Sequence, residues 1–124
     1  LGEYLPFKSG IFDQVIFVTS LDHFIDPVRP LQEAARVMKE GGEILIWIGE
    51  KDKNAPRPPT SPEWYQKLKT PPGADDLFHF KRLRADDVEK SLSIIRLRIF
   101  DKQTHSIDSW RKNIFYRCGF KERL

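Results

Sequence analysis

Asp22 and His23 are the adjacent side chains in this chain that are best suited to moving a proton. They lie in a short polar segment directly after an apolar run. Because histidine titrates near neutral pH, His23 can accept a proton from a hydroxyl or amine nucleophile, with Asp22 beside it. The alternative is structural, with His23 packing over its loop or capping local backbone. A transfer enzyme can also dispense with a base, since proximity and orientation supply much of the acceleration.

A second group of chemistry-bearing side chains lies in a proline-rich insert at about residues 51–80. Trp64, Tyr65 and His79 combine apolar rings with polar atoms, which suits a partly dry substrate pocket. The alternative is a surface cluster that holds the loop together. A long helix or a central strand is excluded here by six prolines, namely Pro56, Pro58, Pro59, Pro62, Pro71 and Pro72. Loops of this length are typically lids, binding segments or linkers, and Ser61-Pro62 predicts a short helix inside this one.

Several other kinds of chemistry are disfavoured by the sequence. No histidine or cysteine spacing is typical of a metal site. Cys118 is the only cysteine, so no internal disulfide forms, and its apolar surroundings indicate a small core residue rather than a nucleophile. The cytoplasm is therefore the expected compartment. No apolar run is long enough for a membrane-spanning helix.

The charge of the chain does not identify a partner. The 21 Lys and Arg residues against 18 Asp and Glu residues give a net charge of +3. A nucleic-acid partner is compatible with this excess, but nothing in its distribution argues for one. The basic residues Lys81, Arg82, Arg84, Arg96 and Arg98 are interpreted as a solvated face rather than a phosphate site.

The first half of the chain predicts the elements that must position Asp22 and His23. Phe12–Thr19 is typical of a strand buried on both faces, and Asp26-Pro27 predicts the start of a helix that Gly41-Gly42 should end. Glu43–Gly49 predicts a second buried strand. Strand, helix and strand together indicate a parallel βαβ unit.

The second half predicts one helix and two closing strands. Ala85–Leu92 is a helix candidate, and Ile94–Phe100 and Asp108–Cys118 are strand candidates. The link between these strands is shorter than a parallel crossover requires, so they should pair antiparallel.

The first fifty residues resemble class I S-adenosylmethionine-dependent methyltransferases of the type 11 kind. The resemblance rests on Leu5-Pro6-Phe7, on Phe12-Asp13 with its strand, on a histidine-containing loop, and on Glu33 to Gly42 (EAARVMKEGG). It implies a partial Rossmann-like α/β sheet made of strands four to seven of the methyltransferase fold, a mixed sheet with the last strand antiparallel. Residues 1–124 would be the C-terminal part of one domain.

The same resemblance implies roles for particular residues. Gly2 and Glu3 would lie along the adenine of S-adenosylmethionine, although the aspartate common in the family falls near Leu1 here. Thr19, Ser20 and Leu21 would contact the methionine part of that cofactor. Asp22 and His23 would be the catalytic candidates, and the aromatic insert would cover a small-molecule acceptor.

The N-terminal cofactor-binding half of such a domain is absent from this sequence. Residue 1 is a leucine and the only methionine is Met38, which leads us to expect a piece of a longer polypeptide. The outer edge of strand 12–19 would then be covered by the missing half, by another chain or by self-association. The fragment alone is expected to be inactive. The alternative function is a non-enzymatic interaction module, or a degenerate methyltransferase half, that docks a partner through this open sheet edge.

Overall fold

A computed structural model describes residues 2–55, 63–69, 71–72 and 82–120. Four strands are present in these residues: β1 (Phe12–Val18), β2 (Met38–Lys51), β3 (Arg98–Ser106) and β4 (Arg111–Gly119). The helices are a 3₁₀ helix (Leu21–His23), α1 (Val28–Val37), α2 (Glu63–Lys67) and α3 (Ala85–Ile94).

The strands form one mixed sheet in the order β1-β2-β4-β3. β1 and β2 are parallel, with α1 between them in the chain, which confirms the βαβ unit. β4 is antiparallel to both β2 and β3, as the short link between the closing strands predicted. This order is the one that the family resemblance implies for strands four, five, seven and six.

One face of the sheet carries the core. Alternate residues of β2 and β4 point to this face, where α1 and α3 supply Leu31, Ala34, Val88 and Leu92. The strand residues that are buried there are Phe17, Ile44, Ile46, Ile48, Ile114, Tyr116 and Cys118. Cys118 is fully buried, so it is a core residue as predicted. Burial, together with the nearby charge of Glu43, raises the pKa of its thiol to about 12.

The opposite face corrects the expectation that Phe12–Thr19 is buried on both sides. Ile16 and Val18 are 58% and 53% exposed, and Phe115 is 37% exposed. We call this surface the open face, and it consists of Ile16, Val18, Leu45, Trp47 and Phe115. Burial on both faces needs a layer on each side of the sheet, and the described helices that join the core cluster, α1 and α3, supply only one.

The helix stop predicted at Gly41-Gly42 was wrong. α1 begins close to the predicted place, where the Asp26 carboxylate accepts a hydrogen bond from the Val28 N–H at 3.0 Å. It ends at Val37, because Met38 already pairs with Phe12 across the sheet. The two glycines lie in an irregular stretch of β2, in which Gly41 has a φ of 75°.

The start of β3 also differs from the prediction of a strand at Ile94–Phe100. α3 continues to Ile94, and Arg96 then adopts a left-handed φ of 63°. The Leu97 N–H donates back to the Leu92 carbonyl at 2.9 Å, which closes the helix in the manner usually associated with glycine. Since no glycine stands at this position, the sequence carried no signal for the turn.

No helix in the described ranges combines the length and the apolar character that crossing a membrane requires.

Candidate active site at the carboxyl edge of the sheet

The functional candidates gather where β1 and β2 end, which we call the carboxyl edge (Thr19–His23 and Glu50–Asp52). Ligands of open α/β sheets bind beyond the carboxyl ends of parallel strands. Lys51 of β2 pairs with Arg111 of β4, so the hairpin between β3 and β4 also reaches this edge.

Thr19 turns the chain sharply as β1 ends. Its φ of 50° lies in the left-handed region, which is uncommon for a residue other than glycine. Its N–H donates to the Trp47 carbonyl at 2.9 Å, so the turn is tied to the neighbouring strand. Strained backbone of this kind is concentrated at functional sites and persists only where the surrounding structure supports it.

The 3₁₀ helix after this turn presents Asp22 and His23. The Ser20 carbonyl accepts from the His23 N–H at 3.1 Å, and the Leu21 side chain is fully buried beneath the turn. Asp22 is half-buried and His23 is exposed. The turn is therefore anchored by an apolar side chain, while its histidine reaches solvent at the carboxyl edge.

Gly2 brings the other predicted cofactor segment to the same place. A Cβ atom added to Gly2 would lie 2.5 Å from Cζ of Phe24, the residue after the 3₁₀ helix. The Gly2 backbone therefore packs against Phe24, while the cofactor-binding roles of Gly2, Glu3, Thr19, Ser20 and Leu21 stay predictions. Only a glycine allows this close approach without displacing the ring.

Residues 2–46 match the family model described as a methyltransferase domain. The matched segment is thus similar to a methyltransferase domain. It contains Gly2, Phe24 and the turn after β1.

Two curated relatives match part of this chain. An uncharacterized protein of Methanocaldococcus jannaschii is 43% identical over 51 residues, which are 41% of this chain and 25% of that protein. The ubiquinone/menaquinone biosynthesis C-methyltransferase UbiE of Wigglesworthia glossinidia brevipalpis is 42% identical over 45 residues, which are 36% of this chain and 18% of that protein. The chain thus spans a quarter or less of the curated relatives it matches.

A solved structure supports the fold over nearly the whole chain. A SAM-dependent methyltransferase of Thermotoga maritima superimposes with a TM-score of 0.60 at 19% sequence identity. The superposition covers 97% of this chain and 61% of that one. The four-stranded sheet is therefore part of the methyltransferase fold.

S-adenosylmethionine is the cofactor that the methyltransferase match implies, and the sequence analysis predicts part of its site at the carboxyl edge. The contact of Gly2 with the Phe24 ring makes the surface apolar and closely packed at this point. Such a surface suits a neutral nucleoside with an attached amino acid. No G-x-G pattern, which the glycine-rich turn of the resemblance would carry, occurs in the sequence.

Only part of the insert lies within the residues that the structure describes, namely 51–55, 63–69 and 71–72. Trp64 lies on α2 and is 64% exposed, so in this structure its ring lines no dry pocket. The side chain of Tyr65 lies outside the described part of the chain, and so do Phe78, His79 and Phe80. The substrate-binding role predicted for Trp64, Tyr65 and His79 stays a prediction.

Glu50 is a residue at the carboxyl edge that the sequence analysis missed. Its carboxylate accepts a hydrogen bond from the Ala85 N–H at 2.7 Å, where α3 begins, and lies 3.4 Å from the Lys112 ammonium. Burial raises the pKa of Glu50, but the Ala85 hydrogen bond and the nearby Lys112 and Arg84 outweigh it, so the pKa lies below its ordinary value of 4.5. The alternation of Ile44, Ile46 and Ile48 was the available signal, since it places Glu50 on the buried face.

A polar cavity of about 260 Å³ adjoins Glu50. It is lined by acidic and basic side chains of β2, α3 and the β3–β4 hairpin, among them Asp52, Arg84, Asp108 and Lys112. Its charges are paired with one another, for example Asp108 with Arg111 at 2.9 Å. It therefore stabilises the carboxyl edge rather than identifying a ligand.

We expect Glu50→Gln to lower the free energy of unfolding at neutral pH by about 1–2 kcal/mol, because a neutral amide cannot attract Lys112 and Arg84. A pKa that is lowered by folding contributes stability above pH 4.5, and this stability is lost as pH falls through the folded-state value. The difference between wild type and variant should therefore shrink below pH 4.5. Urea unfolding at neutral and acidic pH measures it.

Glu89→Gln is the matched control for this prediction. Glu89 pairs with Lys102 at 3.1 Å on a partly exposed surface, where such pairs contribute about 0–1 kcal/mol. An equal loss in both variants, or a Glu50→Gln deficit that persists in acid, would contradict the account of Glu50.

Proposed function

We propose that this chain is the C-terminal part of an S-adenosylmethionine-dependent methyltransferase that acts on a small-molecule acceptor. The observation that supports the proposal is the contact of Gly2 with Phe24, which directly follows the 3₁₀ helix beyond the end of the parallel strand β1. The family match over residues 2–46 supports it, because both segments lie inside that match. A cytoplasmic location is part of the same proposal.

The bound cofactor would supply an electrophilic methyl group, which an oxygen, nitrogen or carbon nucleophile of the acceptor takes from sulfur. Gly2 and Glu3 would hold the adenine side, and Thr19, Ser20 and Leu21 the methionine side. The burial of Leu21 fixes this turn before any ligand arrives, so little ordering remains at the moment of reaction.

His23 is the candidate for accepting a proton from an acceptor hydroxyl or amine. It is exposed at the carboxyl edge, one residue from the segment proposed to hold the methyl donor. Asp22, which is half-buried beside it, would orient or balance the imidazolium that forms. Trp64, Tyr65 and His79 are proposed to cover the acceptor when the site is complete.

In the intact protein, β1 would pair with the missing N-terminal half. β1 is the terminal strand of the described sheet, and its open face carries exposed Ile16 and Val18. An unpaired apolar edge is a template for association. The chain covers only 61% of the Thermotoga maritima structure, which leaves the remainder of that fold available to complete the sheet.

The isolated chain should bind S-adenosylmethionine only weakly, because it supplies one wall of the site. In an NMR titration, we expect amide shifts at Gly2, Glu3 and Thr19–Leu21, with a dissociation constant above about 0.1 mM. Amides of β3, at the far edge of the sheet, serve as the internal control. The absence of any response at millimolar ligand would count against the proposed function, and micromolar binding would contradict the assignment of the chain to one half of the site.

The exposed β1 edge also favours the second candidate, an interaction module without catalysis. A polypeptide that docks on β1 and completes no ligand-responsive site would support that function. The two candidates differ in the same titration, since only the methyltransferase requires shifts at Gly2, Glu3 and Ser20.

A further inference from the structure

The Arg36 side chain makes three hydrogen bonds to the segment between Gly2 and β1. We call residues 4–10 the entry loop. The Arg36 guanidinium, in the last turn of α1, donates to the Leu5 carbonyl at 3.1 Å and to the Phe7 carbonyl at 2.9 Å. It also donates to the Ser9 hydroxyl at 3.2 Å. One side chain thus satisfies three acceptors spread along the loop.

The backbone near Arg36 extends the same attachment. The Gly10 N–H donates to the Arg36 carbonyl at 2.9 Å, and the Ile11 N–H donates to the Val37 carbonyl at 2.8 Å. Most of the entry loop is otherwise exposed, and Tyr4 and Phe7 are 69% and 46% exposed. Apolar burial therefore contributes little to its conformation, and these hydrogen bonds must contribute most.

Glu33 fixes the direction of the arginine. Its side chain is almost fully buried, and it accepts from the Arg36 Nε at 2.5 Å. It also pairs with Arg29 at 3.3 Å, and the Arg29 guanidinium lies 4.6 Å from the centre of the Tyr4 ring. Because guanidinium is planar and carries five donors, it can bind a carboxylate and several carbonyls at once, which an ammonium group cannot do in the same geometry.

We propose that Arg36, oriented by Glu33, is a positioning residue that sets the entry loop and thereby holds Gly2 against Phe24 and fixes the position of Glu3. The effect on the ligand rests on the proposed function. The effect on the loop does not, because it follows from the contacts alone. In this arrangement α1, which carries Arg36, fixes the segment proposed to face the adenine before any ligand binds.

The test compares Arg36→Lys with the matched control Arg29→Lys. Both replace an arginine of α1 that pairs with Glu33, but Arg36 donates to the carbonyls of Leu5 and Phe7, whereas Arg29 contacts the loop at the Tyr4 ring, which a lysine can also approach. Backbone order parameters from ¹⁵N relaxation should fall in the entry loop from about 0.85 toward 0.6 for Arg36→Lys and stay near wild type for Arg29→Lys. Hydrogen exchange of the Gly10 and Ile11 amides should quicken about tenfold or more for Arg36→Lys only.

The same variants are titrated with S-adenosylmethionine. Arg36→Lys should weaken the response of the Gly2 and Glu3 amides about tenfold and leave shifts at Thr19–Leu21. A purely structural role elsewhere in the fold would weaken both sets equally. Glu33→Gln is the second variant, should Arg36→Lys fold poorly, and is expected to loosen the entry loop without changing the amides of β4.

A rigid entry loop in Arg36→Lys would overturn the proposal. So would a loosened loop with an unchanged ligand response at Gly2 and Glu3. If Arg36→Lys loosens the entry loop but the wild type shows no ligand response, the role of Arg36 in holding the loop is supported. The proposed function and the ligand effect are then overturned, so the two failures are distinguishable.

Discussion

Gly42→Ala is expected to lower the free energy of unfolding by about 3 kcal/mol and the melting temperature by about 10 °C or more. A Cβ atom at Gly42 would lie 2.5 Å from the Met38 Cγ and 2.9 Å from the carbonyl oxygens of Asp13 and Lys39. The two carbonyls are backbone atoms of β1 and β2, so they cannot move aside without disturbing the pairing between these strands. Thermal and urea unfolding measure the loss.

The other glycines of β2 provide matched controls. A Cβ at Gly49 meets no atom within 4 Å, so Gly49→Ala should change stability by less than about 1 kcal/mol. Gly41 also has open space but a φ of 75°, so Gly41→Ala should cost about 1–2 kcal/mol from strain. A Gly42→Ala variant as stable as Gly49→Ala would disprove the close approach of the backbones.

The second large effect concerns the open edge of the sheet. We expect the isolated chain to self-associate through β1, and the double variant Ile16→Lys/Val18→Lys to weaken this association about 10²- to 10⁴-fold. The reason is that Ile16 and Val18, 58% and 53% exposed, would gain about half of the 1.5–3 kcal/mol that complete burial of each side chain gives, whereas two lysine charges would have to be desolvated. Charged residues on an edge strand also oppose edge-to-edge pairing. Size-exclusion chromatography with light scattering at several concentrations measures the change.

Gln103→Lys is the control for this change. Gln103 is exposed on β3, the other terminal strand, and pairs with Phe115 of the open face. It adds a lysine to the sheet without altering β1, so self-association should persist. A wild-type chain that stays monomeric at all concentrations would contradict the assignment of β1 as an edge that needs a partner.

The local signals in the sequence predicted the βαβ unit and the antiparallel closing pair, since these depend on neighbouring residues and on the length of links. They failed where a distant contact competes. The Gly41-Gly42 pair is typical of a helix end, yet Met38 joins the sheet first because it pairs with Phe12. Arg96 shows the opposite case, where the closed end of α3 imposes a left-handed turn on a residue with no preference for it.

For the candidate site too, some features could be predicted from local sequence and others depended on distant contacts. The order of short motifs in the first fifty residues was enough to predict the similarity to a methyltransferase domain over residues 2–46 and the parallel strand pair, because these are properties of contiguous segments. The meeting of Gly2 with Phe24, the burial of Glu50 under α3 and the attachment of the entry loop by Arg36 were decided only by the tertiary structure. Each joins residues more than twenty positions apart, and the pattern of side chains along a chain carries no record of which distant backbone groups the folded sheet brings within hydrogen-bonding distance.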